Sequence, residues 1–113
     1  MAAVIVVAGE ALVDLVVTGP HVAAAAGGAP YNVARACARL GAEVALLASL
    51  SEDGFGQLLA AGLEEAGVGD GLLEFTDHPT TLAVAQIDTA GAATYTFYVA
   101  GTSAPLLLSL IHI

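Results

Sequence analysis

The sequence contains no lysine, only two arginines and a single cysteine among its 113 residues. Each shortage excludes something. Without lysine there is no P-loop, because that loop needs its lysine to hold phosphates. Eleven acidic residues against Arg35 and Arg39 give a formal charge of −9. That balance argues against nucleic acid as a partner, since neutralising backbone phosphates supplies most of such affinity. One cysteine, Cys37, allows no internal disulfide and suits a reducing, cytoplasmic setting. Hydrophobic residues make up 58% of the chain, yet no run approaches the ~18 uninterrupted apolar residues of a membrane helix. The start, MAAVIVVAGEALVDLVV, has no basic segment and carries Glu10 and Asp14, so it does not read as a secretion signal. Neither a membrane nor a nucleic acid is an expected partner.

What is present reads as a small α/β domain. Val4 to Ala8 is a continuous apolar run closed by Gly9, as expected of a strand buried on both faces. Leu12 to Val17 is a second strand candidate, and HVAAAAGG after it is a loop or a short strand return. A helix follows, with Pro30 in its first turn, where a missing N–H costs nothing. Val33, Cys37 and Leu40 give it an apolar face, and Gly41 ends it. Glu43 to Leu50 is the next buried strand. Asp53 is placed to cap a second helix, whose apolar face is Phe55, Leu58 or Leu59, Leu63 and Ala66, with Gly67 at its end. Leu72 to Phe75 is a short strand. The period then changes to two, and Thr81 to Asp88 and Thr94 to Val99 flank a glycine-containing hairpin loop. Buried strands alternating with helices predict a mostly parallel sheet, with the hairpin in a separate, half-exposed sheet. The tail from Leu106 to Ile113 has no charge and no turn signal, and reads as a broken-off helix or a foreign extension.

Three places could carry chemistry: Gly9-Glu10 with Asp14, the turn from Gly27 to Asn32, and Ser51 to Gly56. In an open α/β sheet, ligands bind beyond the carboxyl ends of the strands, where the first and third of these fall. Asp14 is a carboxylate in an apolar stretch. It either faces solvent on an alternating strand or accepts hydrogen bonds from adjacent hydroxyls of a polyol. Gly27-Gly28 is either an ordinary tight turn or a place where a ligand meets the main chain. Asn32 either serves the local backbone or reads a hydroxyl with its amide. His21, His78 and His112 lie far apart with no metal-ligand spacing, and Cys37 on an apolar helix face is a packing residue. Ser51 lacks the glycine-flanked elbow of a hydrolase nucleophile. Arg35 and Arg39 read as surface residues.

Taken together, GEALVD at 9–14, GGAPYNVA at 27–34, ARLG at 38–41 and DGFG at 53–56 resemble the amino-terminal portion of ribokinase-like (PfkB-type) carbohydrate kinases. The later TTLA at 80–83 and TFY at 96–98 continue the likeness, which runs from about Val4 to Thr102. The Gly-Glu start and the Ala-Pro after the double glycine are most similar to the fructokinase and 2-keto-3-deoxygluconate kinase group. The resemblance implies a three-layer α/β/α sandwich with a small β-sheet lid, of which residues 1–105 are the N-terminal part. Residues 12–17 and 81–99 would build the lid. It implies ATP-dependent, Mg2+-assisted phosphoryl transfer to a sugar hydroxyl. Asp14, Gly28 and Asn32 would contact the sugar, with Gly27 and Phe97 as further substrate or lid residues and no metal ligand in this stretch. The lid sheet also offers an edge for a homodimer.

The departures are equally informative. The family's Gly-Ala-Gly-Asp segment, which supplies the catalytic base and a helix N-terminus for the developing phosphate charge, is absent. The nucleotide pocket would also lie beyond these residues. This implies a chain with sugar-binding residues and no phosphoryl-transfer machinery, inactive alone. Ser51 stands where the family often has glycine. Val99 stands where related kinases often carry arginine, which argues against an anionic substrate. Other readings are a non-catalytic fragment that binds a sugar or a partner through its exposed sheet, and a truncated product that does not fold alone. A dinucleotide-binding domain ranks low, since no Gly-x-Gly-x-x-Gly follows the first strand.

Overall fold

The computed structural model describes residues 3–107, and they form two sheets joined at one corner. The first sheet is parallel, in the order β1 (Val4–Ala8), β4 (Glu43–Ser51), β5 (Leu73–Thr76). The second is four-stranded, in the order β3 (His21–Gly27), β2 (Leu12–Thr18), β6 (Leu82–Ile87), β7 (Ala93–Tyr98). Its central pair, β2 and β6, is parallel and its outer pairs are antiparallel. Helices α1 (Ala29–Arg39) and α2 (Gly54–Ala66) pack on each other and on β4. A short 3-10 turn, Ala104–Leu106, ends the description, so the atypical tail of the sequence lies almost wholly outside the described residues. No helix among these residues is long and apolar enough to cross a membrane.

The core sits between the two helices and β4. Val44, Leu46, Ala48 and Leu50 alternate along β4 and meet Tyr31 and Ala34 of α1 and Leu59, Leu63 and Ala66 of α2, as a strand with period two and helices with period 3.6 require. Each helix has the chemistry to stop where it does. Asp53 holds an extended backbone and its side chain accepts from the Gly56 N–H at 2.8 Å. At the other end, Gly67 takes the left-handed conformation, and the Val68 N–H closes onto the Leu63 carbonyl at 2.9 Å. Gly41 does the same for α1, with its own N–H on the Ala38 carbonyl and that of Ala42 on Cys37.

Several expectations change. β1 is not buried on both faces: Val4, Ile5 and Val6 are about half exposed. It is the open edge of its sheet, paired only on the β4 side. The HVAAAAG segment is a full strand, held to β2 from Leu12↔Gly27 to Thr18↔His21. The buried face of α1 is Tyr31 and Ala34, with Cys37 and Ala38 behind them, while Val33 and Leu40 face solvent. Tyr31 sets that rotation because its ring fills the space against α2. In α2 it is Leu59 that is buried, and Leu58 is exposed. Arg35 is half-buried rather than a free surface cation: its Nε donates to the Gly62 carbonyl at 3.1 Å and its guanidinium lies 5.8 Å from the Tyr31 ring centroid.

Candidate functional site

The register of the second sheet brings distant residues into one row. Asp14 on β2 pairs with Ala25 on β3 and with Ala83 on β6, and Ala83 pairs with Phe97 on β7. Paired positions point to the same face, so Asp14 and Phe97 flank the small side chain of Ala83 on one surface. Phe97 is largely exposed and stacks on Tyr95, two residues back on the same face, with ring centroids 6.2 Å apart. The opposite face of β2, carrying Val13 and Leu15, packs toward the helices.

Asp14 also meets the entrance of α1. A Cβ added to Gly27 would stand 2.2 Å from Asp14 Oδ2, so the missing side chain of Gly27 is the space that the carboxylate occupies. Gly28 is the N-cap residue of α1, at φ 101°, and offers no side-chain cap. A Cβ there would fall 2.7 Å from the Glu10 carbonyl oxygen. The chain crossing from β1 to β2 and the chain entering α1 therefore touch, and only glycine lets them. Asn32 lies in the first turn, exposed, with its N–H bonded to the Gly28 carbonyl at 2.9 Å. Among the described residues its side-chain amide has no partner and does not serve the backbone, and neither does the Asp14 carboxylate. One acceptor-only group and one donor–acceptor amide thus remain free at the same corner, suited to hydroxyls rather than to an anion. A concavity of about 490 Å³ between Pro79, Thr80, Leu82 and Tyr98 reaches this row at Phe97, and another of about 430 Å³ lies elsewhere, between Leu63, Gly67, Asp70 and Phe75.

Other residues of interest stand away from this corner. Among the described residues no three metal-ligating side chains come together. Arg39 is paired with Glu65 at 3.2 Å on the outer surface, and Arg35 is engaged with α2. The residues described here therefore do not fit a magnesium nucleotide. Ser51 is buried and its Oγ accepts from the Asp53 N–H at 3.0 Å. Where the resemblance led to glycine, its hydroxyl braces the turn.

Two features escape a reading of the sequence. The first is Tyr31, fully buried, whose hydroxyl donates to the Leu59 carbonyl at 2.8 Å. Burial raises its pKa, the Arg35 charge lowers it in part and Glu65 raises it. The second is the far side of Asp53. Besides the helix cap, its carboxylate accepts from the Thr80 N–H at 2.9 Å and the Thr80 hydroxyl at 2.5 Å. Burial pushes the Asp53 carboxyl up, but the hydrogen bonds from Thr80, Gly56 and Ser51 outweigh it and hold the carboxyl below its ordinary value. Nothing local in the sequence links positions 53 and 80.

Comparison with known proteins places these features in a family. The pattern of the pfkB family of carbohydrate kinases matches residues 2–110. Fructokinase-1 of Oryza sativa subsp. japonica is 40% identical over 110 residues, covering 89% of this chain and 34% of that protein. The ATP-bound fructokinase of Xylella fastidiosa superposes with a TM-score of 0.83 at 33% identity, over 94% of this chain and 36% of that one. The apo fructokinase of Vibrio cholerae O395 gives 0.81 at 32% identity, over 89% and 35%. The ribokinase-like fold expected from the sequence is therefore the observed one, in its N-terminal part. This chain spans about a third of the length of the curated relatives it matches.

Proposed function

The chain belongs to the pfkB family of carbohydrate kinases, and from that premise we propose that a protein of family length built on it transfers the γ-phosphoryl group of ATP to a sugar hydroxyl, with this stretch supplying sugar recognition. The single observation that carries the reading is Asp14, whose free carboxylate fills the space left by Gly27 at the mouth of α1. Two carboxylate oxygens accept from neighbouring sugar hydroxyls, and the Asn32 amide donates to or accepts from a third. Gly28 lets the sugar approach the main chain. Phe97, beyond Ala83, covers an apolar face of the ring.

In this reading the four-stranded sheet is the lid, and its closure over the sugar excludes water from the phosphoryl donor. ATP and Mg2+ are bound by the part of the protein that these residues do not span, and so is the catalytic base. A cytoplasmic setting agrees with a single unpaired cysteine. The exposed β7 edge, with Tyr95, Phe97 and Tyr98, favours a second copy of the chain as partner of the lid sheet.

The test uses a family-length protein and this 113-residue chain side by side. In the long form, Asp14→Ala or Asn32→Ala raises the sugar KM by about tenfold or more, the scale of one lost hydrogen bond to a charged or amide group. The KM for ATP stays within about twofold. The short chain alone phosphorylates no sugar. Sugar affinity untouched by both substitutions refutes the assignment.

A further inference from the structure

Asp53 belongs to neither the sugar-binding corner nor the phosphoryl-transfer machinery, yet its carboxylate joins the two sheets. It follows β4, in the first sheet, while Thr80 leads into β6, at the centre of the second. A helix cap needs one acceptor, and Oδ1 provides it to Gly56. Oδ2 has no part in the cap: it accepts from the Thr80 N–H, and Oδ1 also takes the Thr80 hydroxyl. The requirement for a carboxylate thus comes from the other sheet.

The path from there to the candidate sugar ligand is short. Thr80 is followed by Thr81, whose carbonyl accepts from the Val13 N–H at 3.1 Å, and Val13 precedes Asp14. Two hydrogen bonds therefore connect Asp53 with the backbone that presents Asp14. The way out of the second sheet is fixed at the same joint. The Thr81 and Thr102 hydroxyls bond at 2.6 Å, and the Ser103 N–H donates to the Pro79 carbonyl at 2.9 Å. Thr80, Thr81, Thr102 and Ser103 are all buried, and the Asp53–Thr80 bonds at the rim of this joint are part-buried.

We propose that Asp53 is a positioning residue that holds the four-stranded sheet in its sugar-binding orientation by anchoring Thr80. The inference rests on the sugar-kinase reading above. An apparent dissociation constant is the intrinsic one divided by the competent fraction, so releasing the anchor weakens sugar binding without touching the sugar.

The experiment separates cap from anchor in the family-length protein. Asp53→Asn keeps an equally good cap but turns an amide N–H₂ toward the Thr80 N–H. Thr80→Val removes the hydroxyl, and Thr80→Ser returns it. Hydrogen exchange is read over residues 79–87 and sugar KM and kcat are read separately. Asp53→Asn and Thr80→Val are expected to speed exchange and raise sugar KM about tenfold, as loss of a bond to a charged acceptor allows. The expected kcat stays within about twofold, and Thr80→Ser restores wild-type values. Unchanged exchange in Asp53→Asn overturns the anchor. Faster exchange with an unchanged sugar KM, or with kcat falling in step, overturns the positioning role. If the wild-type protein phosphorylates no sugar, the kinase reading fails, and the exchange measurement alone still decides whether Asp53 anchors the sheet.

Discussion

Gly62→Ala offers a sharp test of how α1 and α2 are locked together. Gly62 lies inside α2, where alanine is favoured over glycine by about 1 kcal/mol. A Cβ there would stand 2.2 Å from the Tyr31 hydroxyl, while the next atoms, Tyr31 Cζ at 3.5 Å and Arg35 Nε at 3.7 Å, are at ordinary contact. The conflict is therefore with one oxygen. That oxygen cannot swing aside, because Tyr31 is fully buried and bonded to Leu59. Overpacking costs about 1–3 kcal/mol and the broken hydrogen bond about 1 kcal/mol, so the propensity gain is outweighed and the net loss is about 1–3 kcal/mol. Tyr31→Phe alone costs about 1 kcal/mol. With the oxygen gone, Gly62→Ala has nothing left to strike and stabilises by up to about 1 kcal/mol. The sign of one substitution reverses with the state of another 31 positions away, a coupling of about 2–4 kcal/mol. Urea denaturation of the four proteins, followed by far-ultraviolet circular dichroism, measures it. Equal costs of Gly62→Ala in both backgrounds would refute the reasoning.

Two further outcomes concern the turn before α2. Gly56→Ala puts a Cβ 1.8 Å from the Ser51 carbonyl oxygen, a backbone atom, whereas a Cβ on Gly54 meets nothing within 4 Å. Gly56→Ala should therefore cost about 3 kcal/mol and Gly54→Ala less than about 0.5 kcal/mol, and similar urea midpoints for the two would contradict this. Asp53 also gives an acid signature. Its folded pKa is held below the ordinary value, so its stabilisation is complete above the unfolded pKa of about 4 and is lost as pH falls through the lower, folded value. Thermal midpoints of wild type and Asp53→Asn between about pH 6 and 2 should converge at the acid end; a constant gap would show that ionisation of Asp53 is not what stabilises.

Much of this architecture can be read from residue patterns. Asp53, Gly41 and Gly67 announce the helix ends because capping is a local matter, decided within four residues. The hairpin around Gly91 is equally local. The face of α1 is not, because Val33, Cys37 and Leu40 spell an apolar stripe whereas Tyr31 and Ala34 are the residues buried and Val33 and Leu40 are exposed. Its rotation is set by Tyr31 meeting Leu59, on another helix. β1 reads as a doubly buried strand by composition, but burial depends on what covers it, and Val4 to Val6 are half exposed among the described residues. The poly-alanine strand β3 has no alternation to betray it, and pairing with β2 decides its conformation. At the candidate site, Asp14 and Gly28 stand out as a carboxylate among apolar residues and a glycine at a helix entrance. The seating of Asp14 on Gly27 and the reach of Asp53 to Thr80 are invisible, because register and sheet-to-sheet contact are not written in neighbouring letters.

The parallel pairing of β2 with β6 has a consequence in time as well as in space. Val13 and Leu82 are partners, so the centre of the second sheet closes a loop of about 70 residues, a costly contact that forms late. The β2–β3 hairpin, by contrast, needs only a two-residue turn at Gly19-Pro20. On a ribosome adding about 5–20 residues per second, that hairpin emerges several seconds before its central neighbour exists. For that interval Asp14 rides on an unfinished ribbon with one bare edge. The carboxylate in an apolar strand meanwhile keeps that edge soluble and discourages the nascent chain from pairing with its neighbours.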